Sequence, residues 1–241
     1  MKESGVQAFV LEYIKGKKYF SVRAVKVGAT KEKLTYSPAT INQYLYNLRA
    51  REKLFDAGRG WYSTISQTFV LNTTPVEDLA SLLRTKFPLL EFSCWSTEQL
   101  QGFAHHMMAS FTRLVYTEAD SIPSVAEFLK EKNYDVHLNP RKGEVKKYFS
   151  PSSTTVVVRP SVSEEPLDRE FATVEKILVD LFLEKNKLNL MDEAEYSRLF
   201  RNLAFAYRIN MARLLRYADR RKRKKSFVDG VLTNFNDVIC I

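Results

Sequence analysis

Cysteine, histidine and long apolar runs are scarce in this 241-residue sequence. Two cysteines occur, Cys94 inside an apolar run and Cys240 beside the last residue. That count excludes a disulfide framework and suits a reducing compartment, so cytoplasm is the expected location. Cys94 has no Cys or His at ligand spacing and reads as a buried apolar residue. No stretch reaches the roughly 18 to 20 apolar residues a membrane span needs, and the N-terminus shows no signal-peptide core. The phosphate loop GxxxxGK[ST], the nucleophile elbow GxSxG and the zinc helix HExxH are missing too. The sequence therefore reads as a non-enzyme with no cofactor. Of three histidines, His105 and His106 are adjacent and so point about 100° apart on a helix, while His137 stands alone, so no metal site is expected.

What is present is the composition of a soluble globular protein, 45% hydrophobic and 27% charged, long enough for two ordinary domains. The formal net charge of +9 is unevenly placed. Residues 1–60 hold twelve Lys+Arg against five Asp+Glu, whereas residues 61–150 hold nine against ten. A compact basic segment concentrates polyanions, of which nucleic acid is the commonest and anionic membrane the rival.

Along the first 66 residues the pattern is three short helices and a hairpin. Val6, Phe9, Val10, Tyr13 and Ile14 form one helical face. Ser21 caps a second short helix through Val25, and Ser37-Pro38 opens a third that runs to about Arg51. The core stripe of the third helix is Ile41, Leu45 and Leu48, with Tyr44 at its margin. Asn42, Gln43, Tyr46 and Asn47 fall outside that stripe. Lys53 to Ser63 reads as a hairpin whose turn contains Gly58-Arg59-Gly60, with Trp61 expected to pack on the third helix. That order is a winged helix-turn-helix. The fold class is therefore α+β: a winged helix over residues 1–66, then a mixed α/β domain with packed C-terminal helices over 73–241.

In the second part, helices are expected over Val76 to Thr85, from Ser96-Thr97, and over Ile122 to Lys132. Strands are expected over Leu89 to Trp95, Arg113 to Thr117, Asp135 to Leu138 and Thr154 to Val158, and alternation of this kind marks an α/β or α+β domain. Ser150 to Ser153 reads as a loop and Pro160 to Pro166 as a polar linker. Helices follow over Asp168 to Leu183, Asp192 to Tyr207, and Met211 to about Arg220. In the first of these, Phe171, Val174, Ile177, Leu178 and Leu181 form an apolar stripe.

In a helix-turn-helix the last helix lies in the major groove, where Asn and Gln bond adenine edges and Arg bonds guanine, while flanking cations hold phosphates. The candidate DNA contacts are Lys31, Lys33, Ser37, Thr40, Asn42, Gln43, Tyr46, Asn47, Arg49, Arg51, Lys53 and Arg59. A solvated basic face on a protein-binding module is the alternative reading of the same charges. Glu91, Glu118, Asp120, Asp135 and Lys146 supply nuclease-type groups at a spacing that matches no metal-nuclease pattern. The run Arg220 to Lys225 reads either as a nucleic-acid contact or as a helix end favoured by the dipole.

Four segments carry a resemblance: Leu54-Phe55-Asp56-Ala57-Gly58-Arg59-Gly60-Trp61-Tyr62, Phe92-Ser93-Cys94-Trp95-Ser96-Thr97, His137-Leu138-Asn139-Pro140, and Phe200-Arg201-Asn202 continuing to Leu214-Leu215-Arg216-Tyr217-Ala218. With them the chain resembles the AbiEi-like antitoxin family of bacterial abortive-infection toxin–antitoxin systems. The resemblance implies a DNA-binding N-terminal domain that represses its own operon, with cooperative binding to inverted repeats. It also implies a C-terminal domain that counters a nucleotidyltransferase-like toxin. The expected partners are thus operator DNA and that toxin, bound directly or opposed functionally. The alternatives are a nuclease with a winged-helix targeting domain and a plain winged-helix transcription regulator.

Overall fold

The structure, a computed structural model, describes residues 3–34, 36–105, 110–141 and 151–241. In chain order it begins α1 (Glu3–Ile14), β1 (Tyr19–Ser21), α2 (Val22–Lys31), α3 (Pro38–Ala50), β2 (Phe55–Asp56) and β3 (Trp61–Ser63). Then come α4 (Thr74–Lys86), β4 (Phe92–Ser96), β5 (Arg113–Thr117), α5 (Ile122–Glu131), β6 (Asp135–Leu138), β7 (Thr155–Pro160), β8 (Leu167–Asp168) and β9 (Phe171–Ala172). The last elements are α6 (Val174–Glu184), α7 (Glu193–Ala206), α8 (Met211–Arg220), α9 (Lys224–Gly230) and β10 (Ile239–Cys240). The protein is of the mixed α+β class. Among the described residues no helix is long and apolar enough to cross a membrane.

Two compact units divide the chain, and the division departs from the expected 1–66 and 73–241. Met1–Phe69, Ala204–Asp219 and Arg223–Ile241 form the first unit, Val70–Leu203 and Arg220–Lys222 the second. The C-terminal segments return to the N-terminal unit because its sheet needs them. Its strand order is β10-β1-β3-β2, with β10 parallel to β1 and the other pairs antiparallel. Lys18 and Tyr19 donate their backbone N–H groups to the carbonyl of Val238 at 2.8 and 3.1 Å. A two-residue strand at a chain end carries no periodicity, so nothing in the sequence announced it.

Alternation along the strands gives this sheet two buried faces. Phe20 stacks on Tyr62 at 6.1 Å between ring centroids, and both belong with Cys240 to the core of α1, α2 and α3. That core is built from Val6, Val10, Val25, Ala29, Ile41, Leu45 and Leu54. On the other face Tyr19, Trp61 and Ser63 are buried. There the Tyr19 hydroxyl donates to the carbonyl of Tyr207 at 2.7 Å and accepts from the N–H of Ile209 at 3.0 Å. Trp61 thus lies on the face away from the third helix, and Tyr62 takes the place expected for it.

The second unit holds a six-stranded sheet of order β6-β7-β5-β4-β9-β8. One face is apolar: Phe92, Cys94, Val115, Val136, Val156 and Val158 pack with Val76, Leu79 and Leu83 of α4 and Val125 and Leu129 of α5. The helix expected over Asp168 to Leu183 begins later, at Val174. Residues 167–172 form a small hairpin instead, with Arg169 at φ 55° in its turn. The sheet captures this segment: β9 pairs parallel with β4, and the N–H of Cys94 donates to the carbonyl of Glu170 at 2.9 Å. After Ser96 the helix expected is a 3-10 turn, Thr97–Phe103, closed by a capping box between Ser96 and Gln99. Pro160, expected in a linker, ends β7.

Candidate nucleic-acid interface

Local chemistry sets the geometry of α2 and α3. The Ser21 hydroxyl accepts from the N–H of Ala24 at 3.0 Å, which fixes the start of α2 directly after β1. A Cβ on Gly28 would lie 2.7 Å from the Tyr13 ring, so the close approach of α1 and α2 requires glycine there. At the end of α2, Lys33 adopts φ 53° and the N–H of Leu34 donates to the carbonyl of Ala29 at 3.1 Å. The end of α3 repeats the device, with Glu52 at φ 55° and Lys53 bonded to the Leu48 carbonyl at 2.9 Å. Lys33 and Lys53 therefore leave their helices at turns of the same kind. The Ser37 hydroxyl accepts from the N–H of Ala39 at 3.3 Å, which gives this candidate contact a capping role.

On α3, Ile41 and Leu45 are fully buried and Tyr44 and Leu48 partly so. Asn42, Gln43 and Tyr46 are exposed, with Tyr46 at 61%. Thr40 and Asn47 are half-buried, and Asn47 lines a groove of about 140 Å³ with Gln7, Leu11, Tyr44 and Arg51 on the α1 side. The Gln43 amide donates to the Asn47 Oδ1 at 3.1 Å. The outward face of α3 is thus an ordered pair of amides beside an exposed phenol.

The cations stand at the two ends of that face. Lys31 and Lys33 lie at the end of α2 and in the turn leading to α3, and Arg49, Arg51 and Lys53 lie at the far end of α3; all five are exposed. A helix of this length spans about 20 Å at 1.5 Å per residue. The major groove of B-form DNA is about 12 Å wide, so the spacing of these cations is of the size that would separate two bordering backbones. Among the described residues none of these five, nor Arg59, holds an ion pair.

The hairpin turn is tightly built. The N–H of Gly58 donates to Asp56 Oδ1 at 3.1 Å, and Trp61 donates to the Gly58 carbonyl at 2.8 Å. Gly58 and Gly60 have φ of 99° and 76°. Ala57 and Gly58 are buried, whereas Arg59 and Gly60 are exposed. Only the tip of the turn is free to meet a ligand.

The second unit contains a polar layer that the sequence did not reveal. Ser93, Tyr116 and Arg159 stand opposite one another on β4, β5 and β7 and share the face turned away from the apolar core. Above them α6 places Lys176, Asp180 and Glu184 at successive turns, all buried. Lys176 pairs with Asp180 at 2.7 Å and Glu165 at 3.1 Å, and its Nζ lies 3.7 Å from the centre of the Tyr116 ring. Arg221 reaches Asp180 at 3.4 Å, and Arg159 pairs with Glu184. Burial, with Asp180 and Glu184 nearby, pushes the Tyr116 hydroxyl well above its ordinary value. The apolar stripe of α6 hid this second stripe, because i, i+4, i+8 charges in a helix usually mark a solvated face.

The remaining candidates are scattered. His105 donates its backbone N–H to Glu195 at 2.6 Å, and His137 pairs with Asp135 at 3.1 Å. His106 and Lys146 lie outside the described residues. Among the described residues no three His, Cys, Asp or Glu side chains are placed to hold a metal ion. Glu91 and Glu118 line a cleft of about 550 Å³ beside β4 and β5. The basic run at the end of α8 is partly committed: Arg220 pairs with Glu164 and Ser163, and Arg221 with Asp180.

The structure is thus that of a two-unit α+β protein whose first unit presents an amide-bearing helix between cationic ends. Residues 40–237 match a family of unknown function (DUF6577), and the chain belongs to that family. No curated protein matches the chain.

Proposed function

We propose that the protein is a winged-helix DNA-binding repressor, acting by binding alone, in the toxin–antitoxin setting that its AbiEi-like resemblance implies. One observation carries the DNA reading: the exposed face of α3 bears Asn42, Gln43 and Tyr46 and is flanked at both ends by cations that hold no ion pair among the described residues. The order α1-β1-α2-α3-β2-β3, with β3 between β1 and β2, supports a winged helix. In that role Gln43 and Asn42 read bases and Lys31, Lys33, Arg49, Arg51, Lys53 and Arg59 neutralise phosphates. Repression of its own operon and opposition to a nucleotidyltransferase-like toxin rest on the resemblance alone, as does the cytoplasmic location.

The test is binding of the full chain to the duplex upstream of its own gene, in excess random DNA. Retention of that duplex is the expected outcome, and equal loss to random competitor removes the repressor role. A nucleotidyltransferase-like gene beside this one is the expected neighbour, and co-expression with it tests the antitoxin role, with restored growth expected.

The cleft of about 550 Å³ over the buried polar layer favours a second reading, nucleic-acid processing by the second unit. Glu91, Glu118, Glu164 and Glu165 line it. Mg²⁺-dependent cleavage of DNA by the pure protein would establish that reading, and its absence leaves the binding role.

A further inference from the structure

We propose that the outward face of α2 is a docking site for a protein partner that offers a short acidic segment with an apolar anchor.

Helix phase divides α2 into two sides. Ala24, Val25 and Ala29 are buried. At about 100° per residue, Arg23, Lys26, Val27 and Thr30 fall within an arc of about 100° on the other side. With Val22 and Lys31 they line one depression of about 450 Å³. Val22 and Val27 supply its apolar surface, and Val27 is 47% exposed. Arg23, Lys26 and Lys31 hold no ion pair among the described residues, and α2 itself contains no Asp or Glu.

These residues are poor choices for a helix face that meets only water. Arg23 stands in the first turn, where the positive end of the helix dipole disfavours a cation and no acidic residue offsets it. Val27 is β-branched, loses rotamer freedom in a helix, and leaves nearly half of its surface wet. Departures from local preference of this kind gather where a surface has a task.

A protein segment fits this chemistry better than a phosphate backbone does. An apolar centre inside a polar rim is the anatomy of a protein interface. Carboxylates of the partner meet the cations, Arg23 through the two parallel bonds its guanidinium can make, while an apolar side chain covers Val22, Val27 and the Lys26 stem. A phosphate chain would use the cations and leave the valines wet. The face is also pre-formed. The Tyr36 hydroxyl and Thr30 Oγ1 both donate to the Lys26 carbonyl, at 2.9 and 3.0 Å, which ties α2 to the segment that enters α3. Lys31 is the one residue of the depression that also belongs to the phosphate set proposed above.

The experiment pans a displayed library of random short peptides against the immobilised full chain. The most enriched peptide is then measured by fluorescence anisotropy against wild type, Arg23→Glu and Val27→Ala. Enriched peptides should carry paired Asp or Glu around an apolar or aromatic residue. Arg23→Glu should lower the affinity by about ten-fold or more, and Val27→Ala should lower it several-fold. Both variants should melt at or above the wild-type temperature, because Glu suits the first turn of a helix and Ala its interior. Lower melting in both, with the peptide still bound, overturns the proposal, since the two side chains would then be structural. No enriched peptide, enrichment without acidic residues, or affinity unchanged in both variants overturns it too. So does an Arg23→Gln/Lys26→Gln double that keeps the peptide but flattens the salt dependence of random-duplex binding by about two, which would give this face to phosphates.

Discussion

Gln43 donates an amide proton to the Oδ1 of Asn47 across 3.1 Å, one turn along α3. The bond assigns the two residues different tasks. Gln43 sits opposite the buried Ile41 and Leu45, and its Oε1 and one N–H remain outside this bond, so in the proposed DNA-binding role it could make a bidentate contact to adenine. Asn47, half-buried in the groove beside Gln7 and Leu11, holds Gln43 in place. Gln43→Ala should weaken binding to the specific site by about 1 to 3 kcal/mol and to random DNA very little. Asn47→Ala should have a smaller effect that largely disappears in the Gln43→Ala background. Fluorescence anisotropy on both duplexes reads this double-mutant cycle, and additive losses would contradict the buttress role.

A chain cut after residue 66 should not behave as an independent domain. It loses β10, and it uncovers the sheet face that carries Tyr19, Trp61 and Ser63. The expected result is a broad, non-cooperative melt and binding of a hydrophobic dye, against a sharp melt and no dye binding for the full chain. A fragment that melts sharply would show that the C-terminal segments only decorate the first unit.

The sequence was most legible where periodicity and capping agree. Ser37-Pro38 begins α3 and the Ile41 to Leu48 stripe is its buried side, because both signals are local and strong. Strands β5 and β6 fall where apolar alternation put them. Long-range pairings were not legible. β1, β8, β9 and β10 are two or three residues long, and each exists because another strand supplies its hydrogen bonds. In the candidate site, the residue types on α3 were legible, but which of them bond each other was not. The buried charges of α6 were invisible because nothing in a sequence distinguishes a charge facing water from one facing Arg159 or Arg221.

Asp180 is the most sensitive position in that layer, since it compensates both Lys176 and Arg221. Asp180→Ala should destabilise the protein by about 3 to 5 kcal/mol, because removing one partner leaves buried positive charge unpaired. Lowered urea midpoint with unchanged slope is the expected signature. A loss under about 1 kcal/mol would mean that the layer admits water.

Alkali should unfold the protein through its buried acids. Burial raises the Cys94 thiol from its ordinary 9.0 to about 12, and it raises the Tyr116 and Tyr196 hydroxyls well above theirs. In each case the unfolded chain gives up its proton at lower pH than the folded one. Between pH 9 and 12 the folded state therefore binds more protons, and stability falls as pH rises. Melting temperature should be flat below pH 9 and decline above it, and Cys94→Ala should soften the decline. At pH 8 a thiol reagent should modify the partly exposed Cys240 and spare Cys94. Equal labelling of both in native protein would contradict the buried assignment.

The most direct measurement of the central claim is selection of duplexes from a random library by the full chain, followed by salt titration on the enriched sequence. The expected result is a recurrent motif, lost with Gln43→Ala. Its affinity should fall steeply with salt, and the slope should drop by about one for each of Lys53→Ala and Arg59→Ala. No duplex binding even at about 50 mM salt, or binding with no recurrent motif, would contradict it.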